Sequence, residues 1–217
     1  MLTFITPCSR QDNLPAIVNS INFDKIHKWI IVYDTSEEKR YNKLYENHTQ
    51  IMEVECNIKP ISGKGQPQRN YGMSLVDDGY IYFLDDDNII HPQFWSIVDL
   101  LDNEKFFTFD QIRKDINGGI LFDQIRKDIK EGILYGNKII VRLIDTAMFI
   151  VHKKHIGNIK WLEDRFCSDG FFICDIYNNN KESHVYINSI GCYYNYLQWV
   201  WFYRPIRKSC DSDLALS

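Results

Sequence analysis

The sequence has no C-x-x-C pair, no long apolar run and no surplus of basic residues, and each absence removes a class of protein. Its six cysteines, at 8, 56, 167, 174, 192 and 210, are scattered, which argues against a zinc knuckle or a regular disulfide framework and for reduced thiols. No stretch approaches the roughly 18 apolar residues of a membrane span. The opening MLTFITPCSRQDN has neither the basic flank nor the apolar core of a signal peptide, so a cytoplasmic protein is expected and the sequon Asn47-His48-Thr49 goes unused. With 25 Lys and Arg against 29 Asp and Glu, the net charge of −4 gives no general attraction to nucleic acid. What is present is apolar. Hydrophobic residues make up 45% of 217, enough for a sizeable core in one domain, 1–217.

Short apolar runs alternate with amphipathic segments. Strands are expected at Leu2–Thr6, Lys28–Tyr33, Ile51–Cys56 and Tyr80–Leu84, and helices at Leu14–Ile21, Ser36–Asn47, from about Pro67 to Val76, and from Pro92. This β-α-β-α-β order predicts an α/β, doubly wound, mostly parallel sheet with helices on both faces. Later, "NKIIVRLIDTAMFIVHK" reads as two strands bending near Asp145, and "WLEDRFCSDGFF" as a loop entering a helix near Gly170. "FDQIRKDI" occurs at Phe109–Ile116 and again at Phe122–Ile129, a thirteen-residue period. Two copies are too few for a solenoid, so the repeat is expected to lengthen a surface hairpin or loop; the alternative is that Arg113, Lys114, Arg126 and Lys127 form a basic rim for an anionic acceptor or a membrane surface.

Sheets of this kind bind ligands at the carboxyl ends of their strands. "TPCSRQ", "YDTS" with Asp34, and "DDD" at Asp85–Asp87 all fall there. Carboxylates about 4 Å apart repel by roughly 4 kcal/mol at an effective dielectric near 20. Three in succession after "YIYFL" therefore call for a positive partner. Alternation along the chain lets Asp85 and Asp87 point together, an arrangement suited to Mg²⁺ or Mn²⁺, which take oxygen ligands and substrate phosphates. The competing reading is a polar turn that caps the next helix.

"YIYFLDDDN", preceded by "GKGQPQRNYGMSLV", resembles the nucleotide-sugar site of GT-A fold glycosyltransferases of the family 2-like group. The resemblance runs from "TFITPCSRQDN" to "SDGFF". It implies a divalent-cation-dependent hexosyltransferase-type enzyme with 1–100 as the nucleotide-sugar half and 101–217 as the acceptor half. The implied donor is a UDP- or GDP-sugar, and the acceptor is a hydroxyl on a glycan, glycoprotein or small molecule. Asp87 matches the metal-binding acid, with Asp85 beside it. Asp85 and Asp86 match acids near the ribose, the sugar and metal-bound water, and Asp34 matches the contact to the nucleobase. Thr6, Pro7 and Arg10 fall in the loop around the nucleotide, Arg69 and Asn70 near the ribose or phosphates, and Gly63, Lys64 and Gly65 on the same wall. In inverting members an acid at a helix start serves as base. Asp169 matches it, with Ser168 where a Glu is common, and Asp164 competes. His184 matches an additional metal ligand sometimes supplied by a late strand.

Other residues carry weaker signals. His91 fits a helix entry, His152 and His155 a solvated turn, and Asp145 either an acceptor contact or a bend. "CYYNYLQWVWFYRP" suits sugar stacking or a membrane interface as well as ordinary packing, and Arg204, Arg207 and Lys208 follow it. Rival functions are a sugar-phosphate nucleotidyltransferase, which would want a Gly-rich first loop that "TPCSRQDN" lacks; a metal-dependent phosphohydrolase, which needs more His and Asp ligands; and a non-catalytic nucleotide- or sugar-binding module.

Overall fold

Uninterrupted apolar runs become strands buried on both faces. A computed structural model describes residues 1–37, 41–59, 61, 65–102, 104–113, 132–165 and 167–197. In it β1 is Leu2–Cys8, β2 Lys28–Asp34, β3 Ile51–Cys56, β4 Tyr80–Phe83, β5 Ile89–Ile90, β6 Phe106–Ile112, β7 Ile133–Leu134, β8 Phe149–His152 and β9 His184–Tyr193. The helices are α1 Leu14–Val18, α2 Gln66–Ser74, α3 Phe94–Val98, α4 Lys153–Ile156 and α5 Ser168–Asn179.

The sheet order is β3-β2-β1-β4-β8-β6-β9-β5, with β7 on β6. The first four strands pair in parallel, and β6 and β9 do so further along; β8 enters antiparallel between β4 and β6. Side chains alternate across the sheet as a two-residue period requires. Phe4, Trp29, Ile31 and Tyr82 meet Leu14, Ile17 and Phe94 on one face. Ile5, Ile30, Val32, Ile81 and Phe83 meet Met73, Phe172, Ile173 and Ile176 on the other. Helices thus cover both faces, and the expected doubly wound, mostly parallel architecture is found.

Three expectations are corrected. No helix forms over the described part of Ser36–Asn47: the Asp34 carboxylate takes the N–H of Ser36 (3.1 Å), and Glu53 accepts the N–H groups of Leu44 (2.9 Å) and Tyr45 (2.8 Å). Those bonds consume donors that a helix would use, while Tyr41 stacks on Tyr33 at 4.6 Å. Secondly, only one strand, β8, forms in Asn137–Lys153. The segment before it turns at Arg142 (φ 75°) and ends in a short 3₁₀ turn whose N-cap is Asp145. Thirdly, the first half of the leading repeat copy, Phe109–Ile112, lies inside the sheet in β6 and not in a loop, with β7 paired antiparallel to its end. Most of the rest of the repeat, including Lys114, Arg126 and Lys127, lies outside the described residues. Among those residues no helix is long and apolar enough to cross a membrane.

Candidate active site

Every acid of the run after β4 has a positive or N–H partner, which answers the repulsion that the sequence poses. Asp86, 3% exposed, accepts the backbone N–H groups of Ser9 (2.7 Å) and Arg10 (2.8 Å) and the Ser9 hydroxyl (3.2 Å) on Oδ2. Its Oδ1 takes Nε of Arg10 at 2.9 Å and pairs with Nη2, while Asn13 donates to its carbonyl at 2.7 Å. Asp86 therefore ties the loop after β1 to the end of β4. With every contact of its carboxylate spent inside the protein, it is an anchor for that loop, a different role from the ribose or sugar contact its sequence match implies.

Arg10 also reaches Oδ2 of Asp87 at 2.8 Å. Asp85, 20% exposed at its side chain, pairs with Arg69, whose guanidinium lies 4.7 Å from the centre of the Trp161 ring. Arg69 follows Gly65, the N-cap of α2, at φ +83°. A Cβ there would sit 2.8 Å from Nη1 of Arg69 and 3.0 Å from Cβ of Pro7, so both the backbone and the space require glycine.

Two further acids complete the edge. α5 is pinned by its apolar face: Trp161 stacks on Phe172 (4.7 Å, 14°) and both contact Phe83. That packing fixes the first helical turn, with Asp169, beside the end of β4. Asp145 approaches from the turn before β8, accepts the N–H of Thr146 at 2.9 Å and pairs with Arg113, and its charge acts on Asp169. Burial first, and Asp145 next, push the Asp169 carboxyl well above the ordinary range, and the Gly170 N–H and Arg69 offset this only in part. Burial likewise raises Asp85 against the pull of Arg69.

The remaining expected residues separate into those that join this edge and those that do not. Pro7 reaches it beside Gly65. Thr6 lies within β1, fully buried, where its hydroxyl accepts Nε1 of Trp29 at 2.8 Å; its side chain is core. Asp34 closes β2 and accepts the N–H and hydroxyl of Ser36, close to the Tyr33–Tyr41 stack. Asn70, expected near the ribose or phosphates, instead clamps the chain before α5: its amide donates to the Trp161 carbonyl (3.0 Å) and accepts the Trp161 N–H (2.9 Å). Gln68 of the same "QRN" is fully buried with neither end of its amide bonded. Asp164 is exposed on a turn, whereas Asp169 faces Asp145. Lys64 and Gly63 lie outside the described residues.

His184 is a correction. It opens β9 opposite Phe106, bonds Thr108 at 2.9 Å and packs on Tyr177. The acids face the other end of this strand, where Tyr194 follows β9 and stacks 3.9 Å from the guanidinium of Arg113. A ten-residue strand spans roughly 30 Å, too far for His184 to join the acids. Sequence reasoning gave Asp145 only an open role, put Arg113 in a loop-lengthening repeat with a basic rim as the alternative, and missed Tyr194. Their signals were an isolated acid behind an apolar run, one Arg inside a repeat and one Tyr within an aromatic string.

The donor set fits a hard divalent cation. Asp85, Asp86, Asp87, Asp145 and Asp169 offer oxygen alone, and three guanidinium groups, from Arg10, Arg69 and Arg113, stand against five carboxyls. Among the described residues no three acidic, His or Cys side chains form a metal site by themselves. Asp85 and Asp87 would hold such an ion.

No protein-family model matches the chain, and no curated protein matches it in sequence. Solved structures do match its fold, which is that of the GT-A glycosyltransferases. Residues 1–349 of TarS from S. aureus superpose with a TM-score of 0.65 at 16% identity, covering 88% of this chain and 59% of that one. The chain thus spans about three-fifths of that TarS fragment. TarS has been solved with UDP and with UDP-GlcNAc. Glucosyl-3-phosphoglycerate synthase from Mycobacterium tuberculosis matches with a TM-score of 0.54 at 11% identity, over 88% of this chain and 71% of that one. It has been solved with Mn²⁺, UDP and glucosyl-3-phosphoglycerate.

Proposed function

We propose that this chain is a glycosyltransferase that moves a sugar from a nucleotide-diphosphate sugar to an acceptor hydroxyl, with inversion and with Asp169 as the general base. The observation that carries the reading is the convergence of Asp85, Asp87 and Asp169 on one sheet edge in a GT-A fold. UDP in both matched enzymes favours a UDP-linked donor over a GDP-linked one. In this reading residues 1–100 hold the donor and 101–217 the acceptor. Asp34, which closes β2, takes the nucleobase contact in this reading.

Asp85 and Asp87 would hold Mg²⁺ or Mn²⁺, which supplies charge neutralisation as the nucleoside diphosphate departs. Arg69 and Arg10, already aimed at those acids, add fixed positive charge around the same phosphates. Asp169 accepts the proton of the acceptor hydroxyl as its oxygen bonds to the anomeric carbon and the bond to the diphosphate breaks. Trp161, buried beneath Arg69, backs that guanidinium and holds it at the edge.

A donor panel with Mn²⁺ or Mg²⁺, read by release of free nucleoside diphosphate, tests the reading. Asp169→Asn is expected to lower turnover by about 10²–10⁴-fold, the usual worth of a general base, with donor affinity unchanged. Folded protein that releases nothing from any donor sinks the proposal. Donor binding without turnover, equal in wild type and variant, identifies a binding module.

A further inference from the structure

The acid run after β4 has a fourth polar member. Asn88 is fully buried, and its Oδ1 accepts the backbone N–H of Asn195, two residues beyond β9, at 2.7 Å. Its own N–H donates to the Asp85 carbonyl at 3.1 Å and closes the turn that carries the acids. Within that turn the Asp87 carbonyl takes the N–H of Leu197 at 2.9 Å. Alternate positions therefore divide the work. Asp86 ties the turn to the loop after β1 and Asn88 ties it to residues 194–197, while the side chains of Asp85 and Asp87 meet Arg69 and Arg10.

Residues 194–197 form a strap that is held at each element it crosses. Tyr194 donates its N–H to the carbonyl of Ile112 at the end of β6 (2.9 Å), and its ring lies 3.9 Å from the guanidinium of Arg113, which pairs with Asp145 before β8. Leu197 is buried in the core. Between them Asn195 has φ 51°, a left-handed conformation that persists in a residue with a side chain where the surroundings fix it. The Asn88 amide supplies that fixing through the Asn195 N–H. Nδ2 of Asn88 is buried with no partner among the described residues, a cost that an apolar side chain at the same place would avoid. The Oδ1 bond to the strap is what an apolar residue could not provide.

We propose that Asn88 is a positioning residue for the ion site: by holding the strap 194–197 against the acid turn, it fixes where Asp85 and Asp87 point. This rests on the reading of that turn as the donor site. The mechanical route is short, because one strap N–H ends on the carbonyl of Asp87 itself and the other on the side chain of its neighbour. The strap and the ion site are therefore thermodynamically linked. Linkage is reciprocal, so whatever ordering the bound ion and nucleoside diphosphate give the strap, the ordered strap returns as affinity.

Hydrogen exchange of the wild-type chain with and without Mn²⁺ and UDP reads this linkage without a variant. The amides of Asn195 and Leu197 are expected to exchange more slowly by about 5-fold or more when both ligands are bound, with those of β2 unchanged. Mn²⁺ affinity in the presence of UDP, followed by the electron paramagnetic resonance signal of the free ion, is expected to weaken about 10-fold in Asn88→Ala. Should that variant not fold, the exchange measurement on wild type decides alone. Wild type that binds Mn²⁺ and UDP with no change at 195 and 197 overturns the proposal and leaves the donor site standing. So does a folded Asn88→Ala that holds the ion as tightly as wild type, which would make Asn88 merely structural. Wild type that binds neither ligand removes the donor-site reading, and the positioning role with it.

Discussion

Single residues at this edge owe their roles to which partners they find. Asp86 and Asp87 are adjacent and equally buried; Asp86 takes two backbone N–H groups, a hydroxyl and the guanidinium of the loop after β1, and Asp87 meets the same Arg10. Asp86→Ala would strand two N–H groups and half-release Arg10. A buried ion pair broken on one side costs about 3–5 kcal/mol, and with Arg10 39% exposed at its side chain the expected loss is nearer about 2–3 kcal/mol. The midpoint of denaturant unfolding measures it, and a change below about 0.5 kcal/mol would show that the loop is held by other means. The sequence made the three acids conspicuous, but nothing in "DDD" tells anchor from ligand, because that distinction depends on where Ser9 and Arg10 arrive.

At the scale of elements, the strands were legible and several connections were not. A strand buried on both faces announces itself by continuous apolar residues, and β1 to β4 follow their runs closely. The charged segment 41–47 has helical spacing, but Glu53 on β3 takes the N–H groups of Leu44 and Tyr45. A tertiary acceptor there outweighs a propensity worth a few tenths of a kcal/mol per residue. The chain before α5 shows the converse case, in which a motif residue turns out to be mechanical. Asn70→Ala removes both bonds to the Trp161 backbone. At about 1 kcal/mol per hydrogen bond, a loss of about 2 kcal/mol is expected. Hydrogen exchange should quicken over 161–165 while β1 to β4 stay protected. Quickening spread evenly over the whole chain would contradict a local clamp.

For the molecule as a whole, the acid edge makes stability depend on pH in an unusual direction. Asp169, Asp85 and Asp110 all have carboxyl pKa values raised by burial. Between the ordinary carboxyl range and those raised values the folded state binds more protons than the unfolded chain. Stability from these groups is therefore fully present below the ordinary carboxyl range and is lost as pH rises through the window. Asp169→Asn abolishes its share of that slope, so thermal melts at several pH values should show a flatter profile for the variant; identical slopes would contradict a raised Asp169.

The sequence by itself determined the doubly wound sheet, the edge at which its strands end and the gathering of Asp85 to Asp87 there, because alternation, apolar runs and strand–helix order are local properties. Only the tertiary structure decided that Asp145, Arg113 and Tyr194 join that edge and that His184 does not. Those outcomes follow from strand order. β8 and β9 enter the sheet out of sequence, and a side chain's neighbours there are set by pairing across the sheet, which no spacing along the chain encodes.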